Sequence, residues 1–579
     1  MHGLNGIGSE LLGAADDGGT NLECAVELSM PGIDREDLEV LEFAVFEALS
    51  LPHEVRTTVA IRGTAPAAAS LVGRQAVLDW RVGGISRRVH GIVENASREG
   101  ERDGRAMLEL VILHRVATLG RNLACRVFGK ASLPEAIRRV MSENGLAEGT
   151  DFEIAFGESH PPRPHLVQYH ESDLAFLARI LREEGACFRL DPSRMGNPIV
   201  FIDGGSAMPV SEPSSIPLRP VGGGIGNGEH ASHLSIRSAA TAASVRLRDY
   251  GFEAPRDERT HRRSADGQGT DPERFEFIDA ALESDVVQEK ARRRLEAEVA
   301  QGPRLEGSTN LPTPVPGFVA GFADLPEAER VREQKHVFVE VVHRGESAGT
   351  YANHFEAASI EPAFRLATAG DGPRIRGIQT AWVAGPEGRE GHPHCDEHGR
   401  VRLRFHWQDD FDLERAPWAR VAQTLAGPGW GFTALPRVGN EVLVAFADGD
   451  PERPVVIGSL HNGVSVPPQK LPDHAARTTI RSRSLDGGSG HNEIVLDDTA
   501  GAERISIRAE KDREVLVQRD DRLEIKGGRT VRTTGKDLAE AAEIELSATR
   551  SITLRCGGST IEITPSAISI DAPIVKLNS

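Results

Sequence analysis

Short apolar triplets recur through the last hundred residues of this chain, and one copy of them cannot build a core. Ile544-Glu545-Leu546, Ile552-Thr553-Leu554, Ile561-Glu562-Ile563 and Ile568-Ser569-Ile570 follow one another, and Ile574-Val575-Lys576-Leu577 closes the series. Ile505-Ser506-Ile507, Val515-Leu516-Val517 and Leu523-Glu524-Ile525 extend the set upstream. Apolar residues two apart read as very short strands with one buried face. Polar or glycine-bearing turns separate them at a solenoid-like period of about eight to ten residues. One triplet buries about two side chains, which contribute a few kcal/mol at most. Ordering it costs about 1–2 kcal/mol per residue, and its strand edges stay open. Stacking against other copies resolves both problems, with several identical chains wound into one closed prism. The competing reading is an ordinary β-meander in a globular domain. In the stacked reading this end is a rod with Ile552, Leu554, Ile561, Ile563, Ile568 and Ile570 in its core.

A chain of 579 residues has room for about three to five domains. The net charge of −19 argues against a nucleic-acid binder, whose affinity comes from neutralising phosphates. Sixty glycines and 34 prolines suit a turn-rich β protein. Cys24, Cys125, Cys187, Cys395 and Cys556 are scattered, with no CxxC pair, which fits a reducing compartment. Met1 to Thr20 is glycine-rich and acidic, unlike a signal peptide, and no apolar run approaches the roughly 20 residues of a membrane span. Synthesis in the cytoplasm, and exit without a cleaved leader, is the expectation.

Alternation predicts strands at 40–47, 53–62, 74–80, 87–93 and 106–114. Three helices are expected. The first covers about 132–147, where Ser132 and Glu135 make a capping box around Pro134. The second covers 172–184 and stops at Gly185; the third covers about 284–299. Strands return at 186–190 and 336–343. From 374 to 460 the pattern is all β. Val401, Leu403, Phe405 and Trp407 point one way, and three more strands follow at 418–423, 441–446 and 454–460. Five or six strands in so short a span suit an OB-type barrel.

Several segments in this order carry a resemblance. Val167-Gln168-Tyr169-His170-Glu171-Ser172-Asp173-Leu174-Ala175-Phe176, running on to Glu183-Glu184-Gly185, is one of them. Others are Asp396-Glu397-His398-Gly399-Arg400-Val401 with Phe405-His406-Trp407, and Trp418-Ala419-Arg420-Val421-Ala422-Gln423. Gly427-Pro428-Gly429-Trp430-Gly431, Leu435-Pro436-Arg437-Val438-Gly439 and Gly449-Asp450-Pro451-Glu452-Arg453-Pro454 follow. Ser482-Arg483-Ser484 with Gly487-Gly488-Ser489-Gly490-His491-Asn492-Glu493 matches the start of a needle. Over about 40–579 the chain resembles the VgrG family, the valine-glycine repeat spike proteins of bacterial type VI secretion. The namesake repeats are sparse, so a short needle is expected, irregular at 537–543.

The resemblance implies a mainly β homotrimer with few helices. Its expected plan is a flexible N-terminus at 1–20 and a phage-hub-like, tube-docking region at 21–373, made of two related β-barrel subdomains with the helices outside. An OB-fold barrel at 374–462, a linker at 463–477 and an intertwined trimeric β-prism needle at 478–579 complete it. Implied partners are a hexameric tube protein of the Hcp type at the hub, and a PAAR-type tip protein with effector or adaptor at the needle. The PAAR-docking tip would be Ile574, Leu577, Asn578 and Ser579. The implied role is a spike that is fired into a neighbouring cell, punctures its membranes and delivers effectors. The hub and needle of another contractile particle is the alternative.

No catalytic, cofactor or metal residue is assigned. His392, His394, Cys395 and His398 bring four possible ligands into seven residues, but zinc sites draw on separated pairs, and this cluster overlies a turn motif. His165, His170, Glu171 and Asp173 precede a helix, where acids favour the dipole; His90 and His114 are lone strand histidines. GxSxG, HExxH and P-loop motifs are missing, and Gly222-Gly223-Gly224 reads as a loop. A needle-borne cell-wall hydrolase is disfavoured, because neither the gap after Leu460 nor the stretch after the last triplet holds a domain. Trp407 and Trp430 read as core or trimer packing rather than stacking platforms.

Overall fold

The computed structural model describes residues 23–576 except 64, 220–229, 266–271, 279–281, 324–334, 362, 368–371 and 487. The chain divides into two units, Met1–Ile507 and Arg508–Ser579. Strands dominate the regular structure of each, and no helix among the described residues is long and apolar enough to cross a membrane. The expected N-terminal tail and the glycine run near 222 lie outside the described residues.

In the first unit, six strands form an initial group: Cys24–Ser29, Leu38–Ala48, Glu54–Ile61, Gln75–Val82, Ile85–Arg102 and Arg105–Leu113. Their alternating side chains bury Phe43, Val59, Trp80, Leu108 and Leu110 in one core. Strand Leu38–Ala48 changes phase along its length: Leu38 and Val40 point inward, then Phe43 and Val45. A register shift between Val40 and Glu42 inserts the extra residue that re-aims the side chains. A second group, Ala231–Ser238, Pro303–Thr309, Val319–Ala323, His336–Glu346 and Tyr351–Ser359, packs around Phe322, Phe338 and Phe355.

These groups do not form the separate barrels expected. Leu38–Ala48 pairs with His336–Glu346, from Ala48 opposite Glu340 to Glu42 opposite Glu346, and the result is one 12-stranded sheet. Joining the two edges satisfies backbone groups that would otherwise stay open. A buried polar set sits at the seam. Arg87 Nη2 donates to Glu47 Oε2 at 2.6 Å, and His343 Nε2 lies 3.1 Å from the same oxygen.

Three helices lie close to the expected positions, two of them started by side-chain caps. Helix α1 is Leu133–Glu143, with the Ser132–Glu135 capping box present. Helix α2 is Asp173–Glu183, started by Ser172, whose side chain accepts from Ala175 N. Both enclose a core with Ile137, Val140, Phe176, Ile180 and Phe201. Helix α3, Ser284–Val299, packs Val287 and Ala291 against Val245 and Leu247 of a separate small sheet.

Five strands, Gln379–Ala384, Val401–Phe405, Trp418–Val421, Glu441–Phe446 and Pro454–Leu460, close into a barrel. Val401, Leu403 and Phe405 point inward as the alternation required. Trp407 falls just beyond its strand and stacks on Phe405, with ring centroids 4.9 Å apart and planes 4° from parallel. The sheet Arg477–Arg481, Glu493–Asp497, Arg504–Arg508 follows. It is tied to the barrel: Arg437 Nη2 donates to Arg483 O at 2.9 Å, and His392 Nε2 lies 3.0 Å from Asp486 Oδ1.

In the second unit the described residues hold three strands, Ile552–Cys556, Ser559–Ile563 and Ile568–Asp571. Val515–Val517, Leu523–Ile525, Ile544–Leu546 and Ile574–Lys576, expected as strands, carry no strand pairing here. A strand exists only with a hydrogen-bonded neighbour, and within one chain these triplets find none.

Candidate assembly surface

The three strands of the second unit form an antiparallel ladder. Ile552 faces Ile563 and Leu554 faces Ile561; Ile563 then faces Ile568 and Ile561 faces Ile570. Residues directly opposite in such a ladder share a face, as do residues two apart along a strand. All six of the residues expected in the needle core therefore lie on one face, in two rows of three. Thr553, Glu562 and Ser569 line the other face, with Arg555, Thr560 and Asp571 in the next row.

Within one chain this apolar face is uncovered. Leu554, Ile568 and Ile570 are exposed by 55%, 68% and 50%, and Ile561 and Ile563 by 38% and 39%. More than half of the exposed large apolar side chains among the described residues lie between Ile480 and Val575. A sheet face of large apolar side chains left open in this way marks an interaction face rather than ordinary scatter. Ile574 is exposed too, whereas Leu577, Asn578 and Ser579 lie outside the described residues.

The sheet at 477–508 repeats the pattern. Ile480 pairs with Ile494, and Ile480, Ile494, Leu496, Ile505 and Ile507 are all exposed, while Val495 turns inward. Triplet spacing alone missed Ile480, Ile494 and Leu496. Val495 between the last two is itself apolar and hides the alternation; the i, i+2 spacing of Ile494 and Leu496 was the available signal. The inward side carries an ionic clasp. Arg477 Nε and Thr499 Oγ1 donate to Asp497 at 2.7 Å each. Hydrogen bonds from Thr499 and Arg477 hold the Asp497 carboxyl down to about 2.

The other candidates disperse. His392 pairs with Asp486, His394 packs on Trp418 at 5.6 Å, His398 meets the edge of Phe252 at 5.3 Å, and Cys395 is exposed. Among the described residues no group of three or more His, Cys, Asp or Glu side chains is placed to hold a metal ion. Asp173 is buried and accepts from Asn122, Asn144 and Gln168, which is how a buried carboxylate locks a helix start. His114 is also buried. Its Nδ1 accepts from Val116 N, and burial pushes its imidazole down to about 3. His90 sits on the strand beside it, where its backbone N–H donates to Asn197 Oδ1.

Residues 46–349 match the phage tail baseplate hub (GPD) family. Residues 392–461 match the type VI secretion system/phage-baseplate injector OB domain, and residues 478–553 match the bacteriophage T4 gp5 C-terminal trimerisation domain. The type VI secretion system spike protein VgrG1a of Pseudomonas aeruginosa is 30% identical over 79% of this chain and 72% of its own length. VgrG4b of the same organism is 31% identical over 86% of this chain, which spans 64% of that relative. A solved E. coli protein, c3393, is described as a type VI secretion component with structural similarity to T4 tail proteins gp27 and gp5. It aligns with a TM-score of 0.55 at 20% identity, over 75% of this chain and all of its own. This chain belongs to the VgrG family of type VI secretion system spike proteins.

Proposed function

We propose that three copies of this chain wrap residues 478–579 into one closed β-prism, the needle of a type VI secretion spike. The observation that carries the reading is the pair of apolar rows, Ile552–Ile563–Ile568 and Leu554–Ile561–Ile570, on one uncovered sheet face. The family membership and the trimerisation-domain match at 478–553 support the three-fold arrangement. Covering six such side chains contributes about 1 kcal/mol or more each, on the order of 20 kcal/mol over three copies. Three chains associate in two steps, each costing about 4–15 kcal/mol, so the apolar gain and the association cost are of the same order.

In this reading residues 21–373 are the hub that seats on a hexameric Hcp-type tube, and 374–462 is the barrel. A linker at 463–477 leads to the needle. The surface from Ile574 through Leu577, Asn578 and Ser579 receives a PAAR-type tip protein that carries effector or adaptor. The protein is made in the bacterial cytoplasm and exported by the secretion system itself. Its work is mechanical: it punctures a target membrane and delivers what it carries. Native mass spectrometry at micromolar concentration tests the reading. Three times the single-chain mass is expected; a well-folded species of one chain mass sinks it.

A further inference from the structure

The barrel carries one excursion that its own core does not use. After Val421 the chain leaves the wall, pairs Ala426–Gly427 with Trp430–Gly431, and returns by Leu435. This arm is a built structure. Gln423 clamps its base, accepting from Ala434 N at 3.0 Å and donating to Ala434 O at 3.4 Å. Phe432 N donates to Leu425 O at 2.9 Å. The Trp430 indole lies across Gly427, where a Cβ would come within 2.3 Å of the ring. Glycine at 427 is therefore what lets the indole lie along the arm. Yet Leu425, Trp430 and Phe432 are 54%, 60% and 51% exposed. Three large apolar groups on this arm are left more than half open by the described residues of their own chain.

The outer wall of the same barrel carries a matching feature. Leu443 pairs with Gly458, and Glu441 with Leu460, so Leu443, Gly458 and Leu460 share the outward face. Ile457 and Leu460 are exposed there. A Cβ added at Gly458 would touch only Leu443, at 3.8 Å. The wall thus has a shallow apolar recess with a glycine floor, and the arm does not cover it.

We propose that the arm of each copy docks its Trp430 and Phe432 into the Leu443–Ile457–Gly458–Leu460 recess of the neighbouring copy. This rests on the trimer reading above. The barrel is tied through Arg437 and His392 to the sheet at 477–508, where the trimerisation-domain match begins. Gathering three such sheets sets three barrels side by side around the axis. An arm-to-recess contact is heterologous, and three of them close a ring with no arm left over. Aromatic groups seated in a recess carry most of the energy of such contacts.

The test puts the photo-crosslinking residue p-benzoylphenylalanine in place of Trp430 in the full chain, with native mass measured in parallel. A species of three chain masses should yield crosslinked dimers and trimers on a denaturing gel, with the crosslinked peptides mapping to 441–460 of another copy. Leu443→Glu with Ile457→Glu, added to the same chain, should cut that crosslink at least tenfold while the native mass stays at three. A three-chain mass with crosslinks absent, confined within one copy, directed to another protein, or unaffected by the double substitution overturns the arm proposal alone. A single-chain mass overturns the trimer reading together with it.

Discussion

Ile561 sits in the middle of its row, flanked by Leu554 and Ile570. In the proposed needle a carboxylate there would be enclosed by the rows of two other copies. Ile561→Asp is expected to cost on the order of 3 kcal/mol per copy and to abolish the trimer mass at micromolar concentration. Thr553→Asp on the opposite face is the control and should leave it unchanged. An unaltered mass for Ile561→Asp would remove these rows from the core. Glu452 makes a second residue-scale case, at the joint of the barrel with the hub. Val167 N donates to its carboxylate at 3.4 Å, and Arg179 lies 3.8 Å away. Burial raises the Glu452 carboxyl from 4.5 to about 7; Arg163 and Arg179 oppose the rise, while Glu183 and Asp450 add to it. The folded state thus holds a proton that the unfolded chain gives up. Its stabilising effect is fully present below about pH 4.5 and is lost as pH rises through about 7. Glu452→Gln should flatten the fall in melting temperature between pH 5 and 8, and an identical slope in the variant would refute the assignment.

At the scale of elements, the helices were legible because their signals are local. The Ser132–Glu135 capping box and the Ser172 cap set the starts of α1 and α2 within a residue or two. Strand positions were legible from alternation, but strand ends were not. Ile85–Arg102 runs nine residues past the expected end at Val93, because Arg105–Leu113 offers it a partner throughout; its outer half is polar and shows no alternation. Gly91 pairs with Ala76 on the other side of the strand, one residue before that ladder begins. A Cβ there would lie 2.5 Å from Ile112 Cγ2 and 2.7 Å from Leu113 O. The seam of the 12-stranded sheet was invisible, since it joins strands nearly 300 residues apart. Its buried ion pair yields a prediction. Glu47→Gln leaves the enclosed Arg87 guanidinium without its counter-charge and should cost about 3–5 kcal/mol. Replacing the pair by Glu47→Leu with Arg87→Met should cost far less. Urea unfolding followed by tryptophan fluorescence separates the two, because Arg87 lies over Trp80. Equal losses in both variants would mean that the pair does not couple.

At the scale of the whole molecule, the proposed tip is the part most open to test. Ile574 and Val575 are exposed by 75% and 47%. Ile574→Asp with Val575→Asp should leave the three-chain mass intact and remove capture of a purified PAAR-type partner, and capture that survives would place the docking surface elsewhere. The sequence by itself determined the β-rich class, the three helices and the barrel's inward row of Val401, Leu403 and Phe405. Each of these rests on spacing of two or three to four residues, and a short window contains all of its information. Only the tertiary structure decided that two strand groups fuse into one sheet, that the six needle residues share one face, and that the barrel's arm stands free of its own wall. Those outcomes depend on which distant strand supplies the next hydrogen-bonded edge, and no local pattern specifies that.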